Sequence, residues 1–278
     1  MLLVTGASGQ LGNELSLLLG DSAVYVDRDE LDITDESAVK AFFEAQSFDF
    51  VINCAAHTAV DKAEDEFELA DRINRLGPAL LAKYGRRIIQ VSTDYVFDGT
   101  AHLPYKEDDA VNPVSVYGST KLAGEEAAFA EADTAVVIRT AWLYSSFGAN
   151  FVKTMRRLGA ERDSLGVIFD QIGTPTYAAD LASAIVAMLP QIKPGMKEVY
   201  HYSNEGVASW YDFACAIMRE SGLSCSVRPL ETHEYPTRAV RPAYSVLNKA
   251  KIRRDFGIAI PHWMDGLKRC IAQLNQQA

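Results

Sequence analysis

The chain has 278 residues, 48% of them hydrophobic and 23% charged. That balance supports a large buried core without disulfide or metal staples and excludes a disordered, collagen-like or small secreted scaffold. The formal net charge of −10 argues against nucleic acid or an anionic membrane surface as partner.

In chain order, Leu2–Thr5 reads as a strand and Gln10 to Leu19 as a helix. Ala23–Asp27 is a second strand, and Asp35–Ala45 a helix opened by Asp/Thr capping residues. Phe50–Ala55 is a third strand, followed by a long helical stretch from Asp61 to Tyr84. Arg87–Ser92, a helix over Ser115–Ala130 and a strand over Ala135–Thr140 complete the regular half. Short, continuously apolar strands separated by helices predict a parallel sheet covered on both faces. Beyond residue 142 the rhythm loosens. Leu165–Phe169 and Glu198–Tyr202 read as strands, and Tyr177–Leu189 and Ser209–Ser221 as helices. Pro229–Arg241 is irregular, and two helices close the chain at Asn248–Phe256 and His262–Leu274. The expected fold class is α/β: a doubly wound parallel sheet of the Rossmann type over 1–142, completed by segments around 165–205. Residues 143–278 then form mainly a smaller C-terminal, substrate-binding lobe.

No apolar run approaches the ~18 residues of a membrane span. Met1 leads into a glycine turn with neither a basic leader nor a cleavage site, so a cytoplasmic protein is expected. The four cysteines, Cys54, Cys215, Cys225 and Cys270, lack metal-ligand spacing and read as structural thiols. Charge is uneven: residues 1–169 carry −12 and residues 170–278 carry +2. An anionic small molecule would meet less repulsion at the C-terminal part. Arg238, Arg241 and Lys249 are therefore candidate phosphate partners.

The turn Gly6-Ala7-Ser8-Gly9-Gln10-Leu11-Gly12 lies between the first strand and the first helix. Glycines there let backbone amides approach a pyrophosphate, and a helix N-terminus adds free N–H groups. Asp27 ends the second strand about 20 residues after Gly6, where a carboxylate grips a ribose diol. Arg28 beside it suits a 2′-phosphate, so NAD and NADP both stay open. Asp32 and Ile33 precede the second helix, where a short carboxylate suits either adenine or turn chemistry. Ala55-Ala56-His57-Thr58 follows the third strand, with small residues that let the backbone pass beside a cofactor. Tyr117 and Lys121 are one turn apart on one helix face. A cation near a phenol lowers its pKa toward the pH where an acid catalyst works. Thr93 ends the fourth strand, at the sheet edge where ligands bind, and supplies a hydroxyl for the same substrate oxygen.

Together with these motifs, the runs Ala55–Glu64, Ser92–Gly99, Tyr117–Glu125, Arg139–Tyr144, Asp170–Thr176 and Arg241–Leu247 resemble the dTDP-4-dehydrorhamnose reductases. That family lies within the extended short-chain dehydrogenase/reductases. The resemblance implies reduction of the C4 ketone of a dTDP-4-keto-6-deoxy sugar, yielding dTDP-L-rhamnose for surface polysaccharide. It implies NADPH as cofactor, with NADH as the alternative, and Thr93, Tyr117 and Lys121 as the catalytic set. Gly6, Gly9, Gln10, Leu11, Asp27, Asp32, Ile33, Ala55, Ala56, His57, Thr58, Val91, Tyr117 and Lys121 then match cofactor contacts. Thr93, Asp94 and Trp142 match sugar contacts, with Trp142 placed to stack on the sugar. Some members pair through a magnesium ion, and Glu14 fits such a position. The acids around Asp180 match it only in part, so no metal is expected, and the protein is a monomer or homodimer. Two other readings are a nucleotide-sugar epimerase or dehydratase and a non-catalytic regulatory subunit. Dehydratases carry a second acid where Tyr95 follows Thr93-Asp94, and an intact Thr93, Tyr117 and Lys121 weighs against a subunit without activity.

Overall fold

The computed structural model describes residues 1–277. Apolar runs and amphipathic helices alternate from the start: β1 (Leu2–Thr5), α1 (Gln10–Leu19), β2 (Ala23–Val26), α2 (Glu36–Ala45) and β3 (Phe50–Asn53). Three helical pieces follow, α3 (Val60–Ala63), α4 (Phe67–Asp71) and α5 (Gly77–Gly85), the last two joined by a π-helical turn over Arg72–Leu76. Then come β4 (Arg87–Thr93), α6 (Val116–Glu131), β5 (Thr134–Thr140), β6 (Leu143–Tyr144), α7 (Phe151–Glu161) and β7 (Ser164–Ile168). The chain continues through β8 (Ile172–Gly173), β9 (Thr176–Tyr177), α8 (Ala178–Met188), β10 (Lys197–His201) and β11 (Ala208–Ser209). It ends with α9 (Trp210–Glu220), β12 (Ser226–Leu230), α10 (Ala250–Phe256) and α11 (Trp263–Gln276).

Six strands form one parallel sheet in the order β10-β5-β4-β3-β1-β2. Alternation along each strand assigns its two faces. Leu3, Val51 and Ile88 pack with residues of α2, α5 and α6 on one side. Val4, Ile52 and Ile89 pack with α1, α8 and α10 on the other. The fold is thus a doubly wound α/β sheet of the Rossmann type. Its winding reverses at β1, which lies between β2 and β3, so the crevice at the carboxyl ends of those strands is where a ligand fits. A separate apolar cluster, with Tyr144, Phe213, Ile217 and Leu267 at its centre, forms the core of the smaller lobe.

Three expectations need correction. The strand near residue 165 does not extend the large sheet; β7 pairs in parallel with β12, a strand inside the segment that reads as irregular. Its alternation of exposed Ser164 and Gly166 with buried Leu165 and Val167 suits one buried face only. The long helix over 61–84 is broken at Glu64-Asp65-Glu66, where Glu66 leaves helical geometry with φ −120° and ψ 41° and each acid has a partner elsewhere. Glu64 accepts from the Val116 amide at 2.9 Å, Asp65 pairs with Arg238 at 2.7 Å and Glu66 meets His57 at 3.1 Å. The second strand stops at Val26, one residue short of Asp27. Among the described residues no helix is long and apolar enough to cross a membrane.

Candidate active site

The site is assembled by the first turn and by the ends of β1 to β5. Gly6 has φ +68°, and a Cβ there would lie 2.7 Å from the Ala55 nitrogen; at Gly12 it would lie 2.4 Å from the Gly6 carbonyl oxygen. Only glycine lets this turn fold so tightly onto the end of β3. The result is a cleft of about 760 Å³ along the carboxyl edge of the sheet, within the size range of a cofactor site.

Gly6, Gly9, Gln10 and Leu11 line its floor over β1, and Asp27, Asp32 and Ile33 line its end over β2. The Ser8 amide donates to the Asp27 carboxylate at 2.8 Å. Asp32 accepts from the amide and hydroxyl of Thr34 at 2.9 and 2.8 Å. These bonds hold its carboxyl below the ordinary value, so Asp32 performs turn chemistry while facing the cleft. Ala55, Ala56, Thr58 and Val91 line the middle. His57 does not line it. Its backbone amide donates to Asn74 at 2.8 Å and its ring meets Glu66, so His57 braces the loop from outside.

At the far end, over β4 and β5, Thr93, Asp94, Tyr117, Lys121 and Trp142 line the same cleft. The helix that carries Tyr117 and Lys121 sits unusually close to its neighbours. A Cβ on Gly118 would come within 2.3 Å of the Tyr95 carbonyl, and one on Gly124 within 2.0 Å of the Asn74 carbonyl. Ser115 caps that helix by accepting from the Gly118 amide at 3.1 Å. A buried ion pair fixes it to the sheet: Arg139 on β5 donates to Glu125 on α6 at 2.7 and 3.0 Å, and Ser92 on β4 donates to the same carboxylate.

Electrostatics differ from the sequence expectation at the phenol. Burial pushes Tyr117 up to about 12, the Thr93 hydroxyl within hydrogen-bond reach opposes that rise, and the Asp94 carboxylate adds to it. Lys121 contributes no lowering. The residue is 3% exposed, and its ammonium donates to the Val91 carbonyl at 2.6 Å and is pushed down to about 8 by burial. Asp94 is driven up to about 6 by burial against the hydrogen bonds from Ser245 and Thr93. Beneath the cleft, Thr5 donates to Asn53, Asn53 to Gln90 and Gln90 to the Val91 carbonyl, at 2.6, 2.7 and 3.0 Å. This ladder ties β1, β3 and β4 to the acceptor of Lys121. Cys54, also in the cleft, is pushed up to about 12 by burial, which leaves it a thiol and unreactive at neutral pH.

The three cations named as phosphate partners lie outside the cleft lining, each engaged by acid. Arg238 pairs with Asp65 and Arg241 with Asp61, both at 2.7 Å. Lys249 is buried, 3.5 Å from Glu205 and 3.2 Å from the Asn204 carbonyl. The acids that meet these groups lie far off in sequence, so charge along the chain does not show the pairing. Trp142 does reach the cleft, but one face of its ring is stacked on Trp210 at 3.6 Å between centroids. Trp210 and Arg72 also line the cleft and carry no local motif that would mark them. Glu14 is buried, accepts from Ser145 at 2.6 Å, and lies near Asp180. Among the described residues no group of three or more His, Cys, Asp or Glu is placed to hold a metal.

A doubly wound sheet with this glycine turn, and with a tyrosine, a lysine and a threonine at one end of its crevice, has the architecture of the short-chain dehydrogenase/reductases. The family model described as the RmlD substrate binding domain matches residues 1–276. A dTDP-4-dehydrorhamnose reductase of Aggregatibacter actinomycetemcomitans is 41% identical, over 96% of this chain and 97% of the relative. The structure of a dTDP-4-dehydrorhamnose reductase from Clostridium acetobutylicum superposes with a TM-score of 0.95 at 44% identity, covering 99% of both chains. That of a dTDP-4-dehydrorhamnose reductase from Bacillus anthracis, in complex with NADP, gives 0.94 at 36% identity and 98% of both chains. The chain belongs to the dTDP-4-dehydrorhamnose reductase family.

Proposed function

We propose that the protein reduces the C4 ketone of dTDP-4-dehydro-L-rhamnose to dTDP-L-rhamnose, with NADPH as reductant and NADH as the alternative. The observation that carries this reading is the convergence of Thr93, Tyr117 and Lys121 at one end of a cleft whose other end is a glycine turn. The residues present suit a dinucleotide: Gly6 and Gly12 have no room for side chains, and Gly9, Gln10 and Leu11 bring the start of α1 to the cleft. Asp27 and Asp32 would hold the adenosine end, and Lys121 the ribose next to the nicotinamide. When bound, the reduced cofactor supplies the hydride that the ketone carbon receives.

The remaining chemistry belongs to the chain. As the carbonyl oxygen gains negative charge, Tyr117 gives it the phenolic proton, and the Thr93 hydroxyl, which otherwise donates to Asp94, turns its one proton to that oxygen and stabilises the developing charge. A phenol raised to about 12 is still the stronger acid beside an alcohol, so this transfer runs downhill. It also holds its proton throughout the physiological range, as reduction requires. The charged Lys121 contributes field and orientation. Asp94, on the neighbouring position of the chain, holds the Thr93 hydroxyl at 3.1 Å and would accept from a sugar hydroxyl. The reading places the enzyme in the cytoplasm, on the route to surface polysaccharide.

Absorbance at 340 nm tests it. The protein should oxidise NADPH when given the dTDP-4-keto-6-deoxy sugar and form one dTDP-L-rhamnose per cofactor. Silence with that substrate and both reduced cofactors would overturn the reading in favour of a binding role.

A further inference from the structure

Beyond Tyr117 the cleft ends in an aromatic wall built from two parts of the molecule. Trp142 follows β5, and Trp210 is the first residue of α9 in the smaller lobe. Their rings stack at 3.6 Å with 8° between planes, and Phe151 packs on Trp210 at 4.7 Å and 55°. Both indoles are half-buried and line the cleft.

Trp142 is held in a costly conformation. Its φ of +48° lies in the left-handed region, which non-glycine residues seldom occupy. Its ring abuts Gly173 so closely that a Cβ there would lie 2.6 Å from Cε2. A strained backbone persists only where its surroundings over-determine it. Here the backbone of Gly173 and the ring of Trp210 supply that constraint. The position of Trp210 is set independently: Ser209 and Asp212 form a reciprocal capping box that fixes the first turn of α9.

The strand order says what this wall faces. The adenosine end lies over β1 and β2, Thr93 ends β4 with Tyr117 of α6 beside it in the cleft, and β5 comes next. A group attached to the reacting carbonyl on the side away from the dinucleotide therefore meets Trp142 and Trp210. We propose that Trp210 is a positioning residue for the sugar: stacked on one face of Trp142, with Gly173 against the other, it holds that indole so that the edge presented to the cleft meets the hexose ring. This rests on the reading of the cleft as a nucleotide-sugar site. It assigns the smaller lobe a part in sugar binding through an aromatic contact, whereas its cations Arg238, Arg241 and Lys249 are engaged elsewhere.

The test separates sugar from nucleotide. Affinities of dTDP-L-rhamnose and of dTDP are measured by calorimetry with NADP⁺ present, for the wild type, Trp210→Ala and Trp210→Phe. The wild type should bind dTDP-L-rhamnose at least tenfold more tightly than dTDP. Trp210→Ala should erase that margin while its dTDP affinity stays within twofold, and Trp210→Phe should restore most of it. In turnover, Trp210→Ala should raise the KM of the keto-sugar about tenfold and leave that of NADPH unchanged. A margin that survives in Trp210→Ala, or an equal loss of dTDP affinity, would overturn the assignment. If the wild type shows the margin and the variant loses it, yet no keto-sugar is reduced, the reductase reading fails and Trp210 keeps its place.

Discussion

Two buried lysines separate the chemical end of the cleft from the seam beside the smaller lobe. Lys121 and Lys249 are 3% and 5% exposed, and burial lowers the pKa of both. Lys121 faces the cleft, donates to the neutral Val91 carbonyl and feels the Glu125 carboxylate, which Arg139 already holds. Lys249 lies near Glu205 and within reach of the Ser203 hydroxyl and the Asn204 carbonyl. A buried cation beside a carboxylate is a structural element, because its charge is already compensated. One with a neutral acceptor and an open cleft in front of it keeps its field for a ligand. The same contrast separates Tyr117, whose hydroxyl meets Thr93 in the cleft, from Arg238, whose guanidinium is held by Asp65 at the surface.

The contrast breaks most visibly at the phenol. Tyr117→Phe should lower kcat by about 10²–10⁴, the range of a lost general acid, with NADPH affinity unchanged by fluorescence titration. Next comes the ion pair under the catalytic helix. Arg139→Ala leaves Glu125 buried without its partner and should cost about 3–5 kcal/mol of stability in urea unfolding. Lys249→Met sharpens the comparison. It should lower stability by about 1–3 kcal/mol, since Glu205 stays partly solvated, while the alkaline limb of activity stays where it is. That limb belongs to Lys121. The lysine is charged below its pKa of about 8, so kcat/KM should fall as pH rises through 8, by about fivefold between pH 8 and 9. Lys121→Arg should move the fall to higher pH. The smallest effect is at the surface: Arg238→Ala should change stability by less than about 1 kcal/mol and the KM of the sugar by less than twofold at low salt.

Position along the strands was the informative signal in the sequence. Thr93, Asp94, Tyr117 and Trp142 each sit just past a strand or early in a helix at one edge of a parallel sheet, and that placement brings them to one cleft. The glycine turn was readable for the same reason, since its function is local backbone geometry. Charge was a poor guide to Arg238, Arg241 and Lys249, because Asp65, Asp61 and Glu205 meet them only through tertiary contacts. His57, marked by the motif after the third strand, meets Glu66 at 3.1 Å and is not among the residues lining the cleft. Trp210 was invisible because its role depends on a stack with a residue 68 positions earlier. The β7–β12 pair was hidden by Pro229 and by polar outward residues. The pKa of Tyr117 depends on burial, which the Tyr-x-x-x-Lys spacing does not express.

The most direct test of the account follows the hydrogen that reaches C4. With NADPH carrying deuterium at the transferred position, the dTDP-L-rhamnose formed should contain one deuterium at C4, with one cofactor oxidised per product. Product without label, or turnover without net loss of NADPH, would contradict reduction at the Tyr117 end of the cleft and favour an epimerase or dehydratase.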